Sequence, residues 1–454
     1  MSIRLRRDKL VFFLILMSII FALFYNIFYF DPIDGYDGEA HYNYVDHFSR
    51  YLPQSLNLPS NNDTREYFNP PIGYLVPSIS QVVCRNVLDS VDLLRDCRYF
   101  YGKSTQIFQA AMYLLTIHLN LLFIKNFFQK SSYFCIEYLL LISLLSVNYR
   151  TISMIRGEPY ILLFFSFLIY QLQVLSKKNF NTTKKSVLFF GLTIGMLALS
   201  RQWAFLLFPA FFVFIFKNLE FSKQKYFNFL VSTFFIGFIS SGWFYFISLF
   251  RYGSFIAFNK DSIGFSFLNQ PKEFYIPSFM DIYSVFTNPI RPNFSNQFIS
   301  ILYSDVWGDY WGYFVFTSAN LDLGRNQEFI GSYLARVNIV NLPLTVFLFY
   351  SYYLIKKNYK SDYLLTYLRY CVIFSFLGYL WFLISYPALP TGDTNKATYI
   401  VQLFNILILL GSIVLVNLKN SNYKMYKYFM AYLFFLLFHN YQTFLSHFPY
   451  SLSF

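Results

Sequence analysis

A carboxylate and an imidazole four residues apart form the first group in this chain that could move a proton. They lie in Tyr36-Asp37-Gly38-Glu39-Ala40-His41-Tyr42, a few residues beyond an apolar run. If this stretch is helical from Asp37 onward, Asp37 and His41 share one face. A carboxylate just above a bilayer, beside a histidine, is placed to accept a proton from a substrate hydroxyl. The same residues also suit the start of a short surface helix with Asp37 as its N-cap. Next comes Glu66-Tyr67-Phe68-Asn69-Pro70-Pro71-Ile72-Gly73-Tyr74. Pro70-Pro71 cannot lie inside a helix and sets a rigid turn. With Tyr74 behind it, that turn either shapes a cavity wall or only separates two surface helices.

Four further groups carry usable chemistry. Arg156-Gly157-Glu158-Pro159 sits at the end of an apolar run, as a second carboxylate or as a charged helix start with an early proline. Arg201 lies between two short apolar runs. A cation so flanked must be paired or face water, and its planar fork of donors suits phosphate. Lys396 and Tyr399 precede a late apolar run, where a helix start would also aim backbone N–H groups at an anion. Ser304-Asp305-Val306-Trp307-Gly308-Asp309-Tyr310-Trp311-Gly312-Tyr313 combines two carboxylates with four aromatics. Asp305 and Asp309 could bind sugar hydroxyls while Trp307 covers an apolar ring face; an interfacial aromatic belt has the same composition.

The elements that must position these groups are apolar. Of 454 residues, 56% are hydrophobic and only 13% charged, against about 25% charged in soluble domains. This excludes cytosolic enzymes, disordered chains and disulfide-stapled secreted domains. Apolar runs at 11–30, 105–124, 133–149, 159–176, 186–200, 203–216, 226–250, 338–355, 370–386, 398–418 and 428–447 predict about eleven helical spans. Runs 186–200 and 203–216 are short and are expected to form a helical hairpin around Arg201. The first run has no small-residue cleavage pattern and is expected to remain as a span.

Lys and Arg orient the bundle. With the N-terminus inside, the inner segments collect 20 of the 36 basic residues and only four acids, Asp8, Glu137, Glu220 and Asp362. The net charge of +13 is then positive-inside bias and implies no nucleic acid. Outer loops at 31–104 and 251–337 are long, and long loops in compact domains are usually functional. Cys84 and Cys97 share the outer side and could pair in an oxidising compartment. No CxxC or His/Cys cluster points to a structural metal.

Asp37 and Pro70-Pro71 together resemble the first outer loop of the GT-C glycosyltransferases. The likeness is to the bacterial branch related to protein O-mannosyltransferases and the lipid A aminoarabinose transferase. That branch commonly reads Asp-Glu-x-x-His or Tyr, then Gln/Asn-Pro-Pro-x-x-Tyr. The corresponding segments here are Asp37-Gly38-Glu39-Ala40-His41 and Asn69-Pro70-Pro71-Ile72-Gly73-Tyr74. Gly38 departs from the pattern, and its Glu arrives one position later, as Glu39. The local likeness covers about residues 31–80, and topology extends it weakly over the rest.

The resemblance implies an all-α polytopic membrane protein, a single GT-C-like domain over 1–454. The two long outer loops would form its active-site face. It implies a polyprenyl-phosphate sugar as donor and a glycan, lipid or protein hydroxyl as acceptor. Asp37 would act as general base and the reaction would invert. Glu158 would be a second acidic residue. Glu39, His41, Pro70, Tyr74, Arg156, Arg201, Asp305, Trp307, Asp309, Lys396 and Tyr399 would bind the substrates. No cofactor or metal is demanded, and no phosphate-cradling GxxxxGK[ST] loop occurs. The expected location is a bacterial inner or plasma membrane, with the site facing outward. A transporter or flippase of lipid-linked glycans is the competing reading, but it predicts mid-span charges and broken helices in matched halves. A ligase joining preassembled glycans would share much of the same outer chemistry.

Overall fold

The computed structural model describes residues 3–87, 93–129, 135–216, 222–291, 293–315 and 324–446. Helix is the regular structure of the described residues, with no strand among them. In chain order, α1 spans Ile3–Tyr29, α2 Gly38–Arg50, α3 Ile72–Val87 and α4 Leu93–Phe128. Two short helices follow, α5 (Ile136–Ser143) and α6 (Ser146–Ser153), then α7 (Glu158–Lys177) and α8 (Lys184–Ser200). A single turn, α9 (Pro209–Phe212), precedes α10 (Lys223–Tyr252). The second long loop carries α11 (Lys272–Tyr275), α12 (Phe279–Val285) and α13 (Phe298–Trp307). The chain closes with α14 (Gly324–Asn358), α15 (Tyr363–Ser385), α16 (Val401–Ser421) and α17 (Tyr423–His439).

Seven helices, α1, α4, α7, α10, α14, α15 and α16, are long and apolar enough to cross a membrane. The exposed face of α1 shows why lipid must be their solvent. Leu10, Leu14, Met17, Phe21, Phe24 and Phe28 form an exposed stripe at helical spacing, larger than a water-facing surface tolerates. This is a multi-pass helical membrane protein.

The other four apolar runs are helical but shorter. Run 133–149 breaks at Leu144 and Leu145 into α5 and α6, with every residue of both helices buried. Run 186–200 is α8, and 428–447 gives α17 with a 3-10 turn behind it. Run 203–216 is a string of 3-10 and α turns. It folds back along α8: Phe211 meets Phe190, and Phe214 meets Tyr226 near the start of α10. The expected hairpin around Arg201 is therefore present. A 3-10 turn rises about 2.0 Å per residue against about 1.5 Å in an α-helix, so this short segment reaches further than its length suggests.

Small residues close the bundle. α8 and α10 run parallel and meet through Gly191, Gly195 and Gly237. A Cβ on Gly237 would lie 2.7 Å from Ile194, the intimate backbone approach typical of membrane helices. In the first long loop, α2 packs its apolar face (Ala40, Tyr44, Val45 and Phe48) inward. Cys84 of α3 and Cys97 of α4, which the sequence left able to pair, form a disulfide. Lys130, Lys217 and Glu220, counted above among the inner charges, lie outside the described residues.

The Lys/Arg asymmetry predicts that the loop-bearing end faces outward. Native cysteines do not interfere with a labelling test, since Cys84 and Cys97 are bonded and Cys135 and Cys371 are buried. Single cysteines at the exposed positions Asn62 and Asn259 should react with a membrane-impermeant maleimide on intact cells. Reaction only after permeabilisation overturns the orientation.

Candidate active site

The first loop folds by local rules until Asp37. Asp31 caps the 3-10 turn Pro32–Asp34 through the amide of Ile33. Asp37 then takes a left-handed conformation, φ 54° and ψ 24°, which Asp tolerates better than most residues. It occupies the N-cap position of α2, yet its side chain makes no capping bond. The carboxylate turns instead to two cations. Oδ1 lies 2.6 Å from Arg65 Nη2, and Oδ2 lies 3.0 Å from Lys396 Nζ. The tight corner before α2 also explains Gly38. A Cβ there would collide with the Ile33 carbonyl, so the Glu of the resembled motif has no room.

His41 does not bond Asp37. Its Nδ1 is 2.6 Å from the Tyr74 hydroxyl, and Tyr74 also accepts from Asn69 Nδ2 at 3.0 Å. The Tyr74 ring stacks on Tyr44 with centroids 3.7 Å apart. Pro70 and Pro71 are buried at the start of α3 and hold Asn69 and Tyr74 in this arrangement, so the turn does shape a wall of the site. Asn69 Nδ2 also donates to Glu66. His41 Nε2 is buried without a hydrogen-bond partner, 4.0 Å from Glu66 Oε2.

Behind this wall the α6–α7 turn meets the Arg201 turn. Gly157 makes the meeting possible, because a Cβ there would clash with the Ser200 carbonyl. Arg201 Nε comes within 3.2 Å of Glu158, and its Nη1 lies 3.6 Å from Glu66. Arg156 Nη1 is 3.8 Å from Glu158, and Nη2 donates to the Tyr36 carbonyl at 3.0 Å. These ion pairs are close but not aligned as hydrogen bonds. Both Glu158 oxygens, and Nε and Nη1 of both arginines, are buried without a hydrogen-bond partner.

Two aromatic rings gather the cations. Lys396 lies 4.9 Å from the Tyr36 ring centroid and Arg156 5.2 Å. Lys396, Arg156 and Arg201 also lie 5.8–5.9 Å from the Tyr399 ring, within cation–π range. Tyr399 stacks on Trp203.

The electrostatics follow from this crowd. Lys396 first, then Arg65 and Arg156, hold the Asp37 carboxyl well below the usual carboxylate range, against the opposing effect of burial. Burial, aided by Arg156 and Arg201, pushes the His41 imidazole well below its ordinary value and keeps it neutral. Burial raises the Glu66 carboxyl, partly offset by Arg201. Four cations (Arg65, Arg156, Arg201 and Lys396) thus surround three carboxyl groups, one of which, Glu66, is biased towards neutrality. The cluster has cationic capacity to spare for an anion. Among the described residues no group of three His, Cys, Asp or Glu is arranged to hold a metal.

The structure brings together Asp37, His41, Pro70, Tyr74, Arg156, Glu158, Arg201, Lys396 and Tyr399. It places the other four expected residues elsewhere. Glu39 is exposed and pairs with Arg98 at 3.0 Å, away from the cluster. Asp305 is used internally: it meets Arg150 at 3.0 Å and accepts from the Ala397 amide at 2.7 Å. Asp309 accepts from the amides of Phe314 and Val315 at 2.8 Å each. Trp307 donates to Thr345 and lines an apolar cavity of about 480 Å³ between α13, α14, α15 and α16. None of the three has a polar group left for a sugar. Conversely Glu66, Arg65, Tyr36 and Arg150 were not singled out by spacing. Glu66 had one usable signal, its place three residues before Asn69 of the Pro-Pro motif.

Compared with known proteins, the chain matches no family model, no curated protein and no solved structure.

Arg201→Gln should cost about 3 kcal/mol or more, because it strips Glu158 and Glu66 of a shared buried cation. Glu39→Gln, at the surface, should stay within about 0.5 kcal/mol of wild type. Thermal unfolding in detergent distinguishes the two. Equal stability of both variants would mean that the Arg201 cluster is solvated.

Proposed function

We propose that this chain is a membrane glycosyltransferase of the GT-C type. It moves a sugar from a polyprenyl-phosphate donor to an acceptor hydroxyl at the outer face. One observation carries the reading. Asp37 forgoes the helix cap open to it and turns its carboxylate into a cation-rich cluster at the end of an apolar bundle. A capping role would leave that carboxylate on the backbone of α2. The resemblance of residues 31–80 to GT-C first loops supports the same chemistry.

In this mechanism the acceptor hydroxyl gives its proton to Asp37 as its oxygen attacks the anomeric carbon. The bond from that carbon to the phosphate oxygen breaks from the opposite side, and configuration inverts. The departing polyprenyl phosphate carries the released electron pair and gains negative charge. Lys396, Arg156 and Arg201 are placed to meet that charge, and fixed cations in a partly desolvated site are effective there. Ile400, the chain neighbour of Tyr399, lines the apolar cavity together with Leu403 and Phe376, and an isoprenoid tail suits that lining. His41 and Tyr74 hold the wall beside Glu66.

Asp37→Asn should lower transfer about 10²–10⁴-fold at normal membrane expression, because Asn fits the same backbone but accepts no proton. His41→Asn should be milder. Near-normal transfer by Asp37→Asn removes the base assignment and favours a lipid-linked-glycan transporter.

The pH dependence has a definite sign. With the Asp37 carboxyl held low and His41 held neutral, neither changes charge between about pH 5 and 8. kcat/KM for the donor, which reports the enzyme before donor binds, should therefore show no acid limb from these groups in that window. Glu66, raised by burial, is the member of the cluster able to add one. An acid limb above about pH 5 that survives Glu66→Gln would count against Asp37 as the base.

A further inference from the structure

Asp37 as it stands has both oxygens occupied. Arg65 holds Oδ1 at 2.6 Å and Lys396 holds Oδ2 at 3.0 Å. A carboxylate clamped by two cations is a poor proton acceptor, since it is stabilised in its charged form. The clamps differ in kind. Arg65 is 60% exposed and sits on the loop before Pro70, free to swing. Lys396 is buried between the Tyr36 and Tyr399 rings. Beside them, Nε and Nη1 of Arg156 and Arg201 have no hydrogen-bond partner.

We infer that the phosphate of a polyprenyl-phosphate ligand exchanges with Asp37 for Arg65 and Lys396, so that donor binding itself releases the base. The inference rests on the donor reading given above. A phosphodiester presents two non-bridging oxygens that share one negative charge, and their spacing suits an Arg fork and an ammonium. Once the cations have moved to the phosphate, the groups still facing Asp37 are His41 of α2, which is neutral, and Arg156 of the turn before α7. Glu66, from the loop, opposes its charge. The carboxylate then regains basicity when a sugar donor is in place. Before that, it cannot activate water. Arg65 is in these terms a positioning residue that acts through Asp37.

The exchange makes an unusual demand on the base-deficient variant: it should bind the lipid phosphate better. Binding of undecaprenyl phosphate to the full chain in lipid nanodiscs is measured for wild type, Asp37→Asn and the double variant Asp37→Asn/Arg65→Gln. Undecaprenol and inorganic phosphate serve as separate arms. Asn tolerates the left-handed backbone at position 37, and Arg65 is at the surface, so both variants keep the fold. Asp37→Asn should bind undecaprenyl phosphate about tenfold tighter, on the scale of one charge-assisted hydrogen bond no longer in competition. The double variant should lose most of that gain, and undecaprenol should show none. Equal or weaker binding by Asp37→Asn overturns the exchange, as does an equal gain for undecaprenol. A gain confined to inorganic phosphate overturns the lipid source. If no version binds undecaprenyl phosphate, the donor reading falls and the exchange with it. Tighter binding with undiminished transfer would uphold exchange at the cations while removing Asp37 as base.

Discussion

A guanidinium buried in an apolar bundle must find its counter-charges inside the protein, and the way Arg150 does so sets the loop-bearing half of this fold. Its side chain is 1% exposed. Unpaired, it would cost several kcal/mol. Its Nη1 and Nη2 reach the carbonyls of Gly308 and Asp305 at 2.7 and 2.6 Å and the carboxylates of Asp305 and Asp309 at 3.0 and 3.4 Å. Both carboxylates then organise backbone beyond it. Asp309 takes the amides of Phe314 and Val315, and Asp305 takes the amide of Ala397. One cation on α6 thereby docks the second long loop on the central broken span. It also anchors the turn that presents Lys396 and Tyr399.

Arg156 and Arg201 meet the same constraint and satisfy it differently. Their counter-charges, Glu158 and Glu66, lie at ion-pair distance, but the donors and acceptors are not aligned. A buried polar network that is fully bonded holds a structure rigid, whereas unpaired members are costly and call for an explanation. Arg150 leaves Nε unbonded but spends both terminal nitrogens on backbone carbonyls, whereas Arg156 and Arg201 each leave Nε and Nη1 unbonded beside an unbonded Glu158. Cation–π contacts with Tyr36 and Tyr399 keep the second group of charges gathered without consuming their donors. Two glycines allow the density. Gly157 lets the α6–α7 turn touch the Ser200 carbonyl, and Gly73 lets α3 approach Gly157.

How much of this was legible in the sequence follows from the range of each interaction. Apolar runs report burial in lipid directly, so the helices were readable, including the hairpin at Arg201. Runs 186–200 and 428–447 give α8 and α17, helices of 17 residues each, because an apolar run states solvent preference rather than depth. That Cys84 and Cys97 could pair was legible, but their pairing depends on a Cα separation of 5.6 Å that only the fold supplies. Asp37 and His41 were found because they stand in one short motif, but their geometry was misjudged. Asp37 is left-handed rather than helical, so the pair does not face itself across a turn. Its true partner, Lys396, lies 359 residues away, beyond any periodicity. The choice of Glu66 over Glu39 was likewise invisible. Both are loop carboxylates near a motif, and only tertiary packing buries one and exposes the other. Asp305, Asp309 and Trp307 look like sugar ligands by composition. The real partner of the two carboxylates, Arg150, lies 155 residues from Asp305 and 159 from Asp309.

Asp37 gathers these threads. A left-handed non-glycine residue and a forgone cap together forfeit on the order of 2 kcal/mol of local stability. Nothing within α2 offsets that. The offset comes from Arg65 and Lys396, one on the same loop and one from the far end of the chain. Local sequence logic would have kept the carboxylate on the helix start, and the folded chain sends it elsewhere. Residues that break a local rule and are held by distant partners concentrate at functional sites. The neighbouring Gly38 is part of the same device, since any side chain there would push the corner off the Ile33 carbonyl and rotate Asp37 out of reach of its cations. The motif's departure and the carboxylate's position therefore have one cause, a corner compact enough to aim Asp37 into the bundle instead of along its own helix.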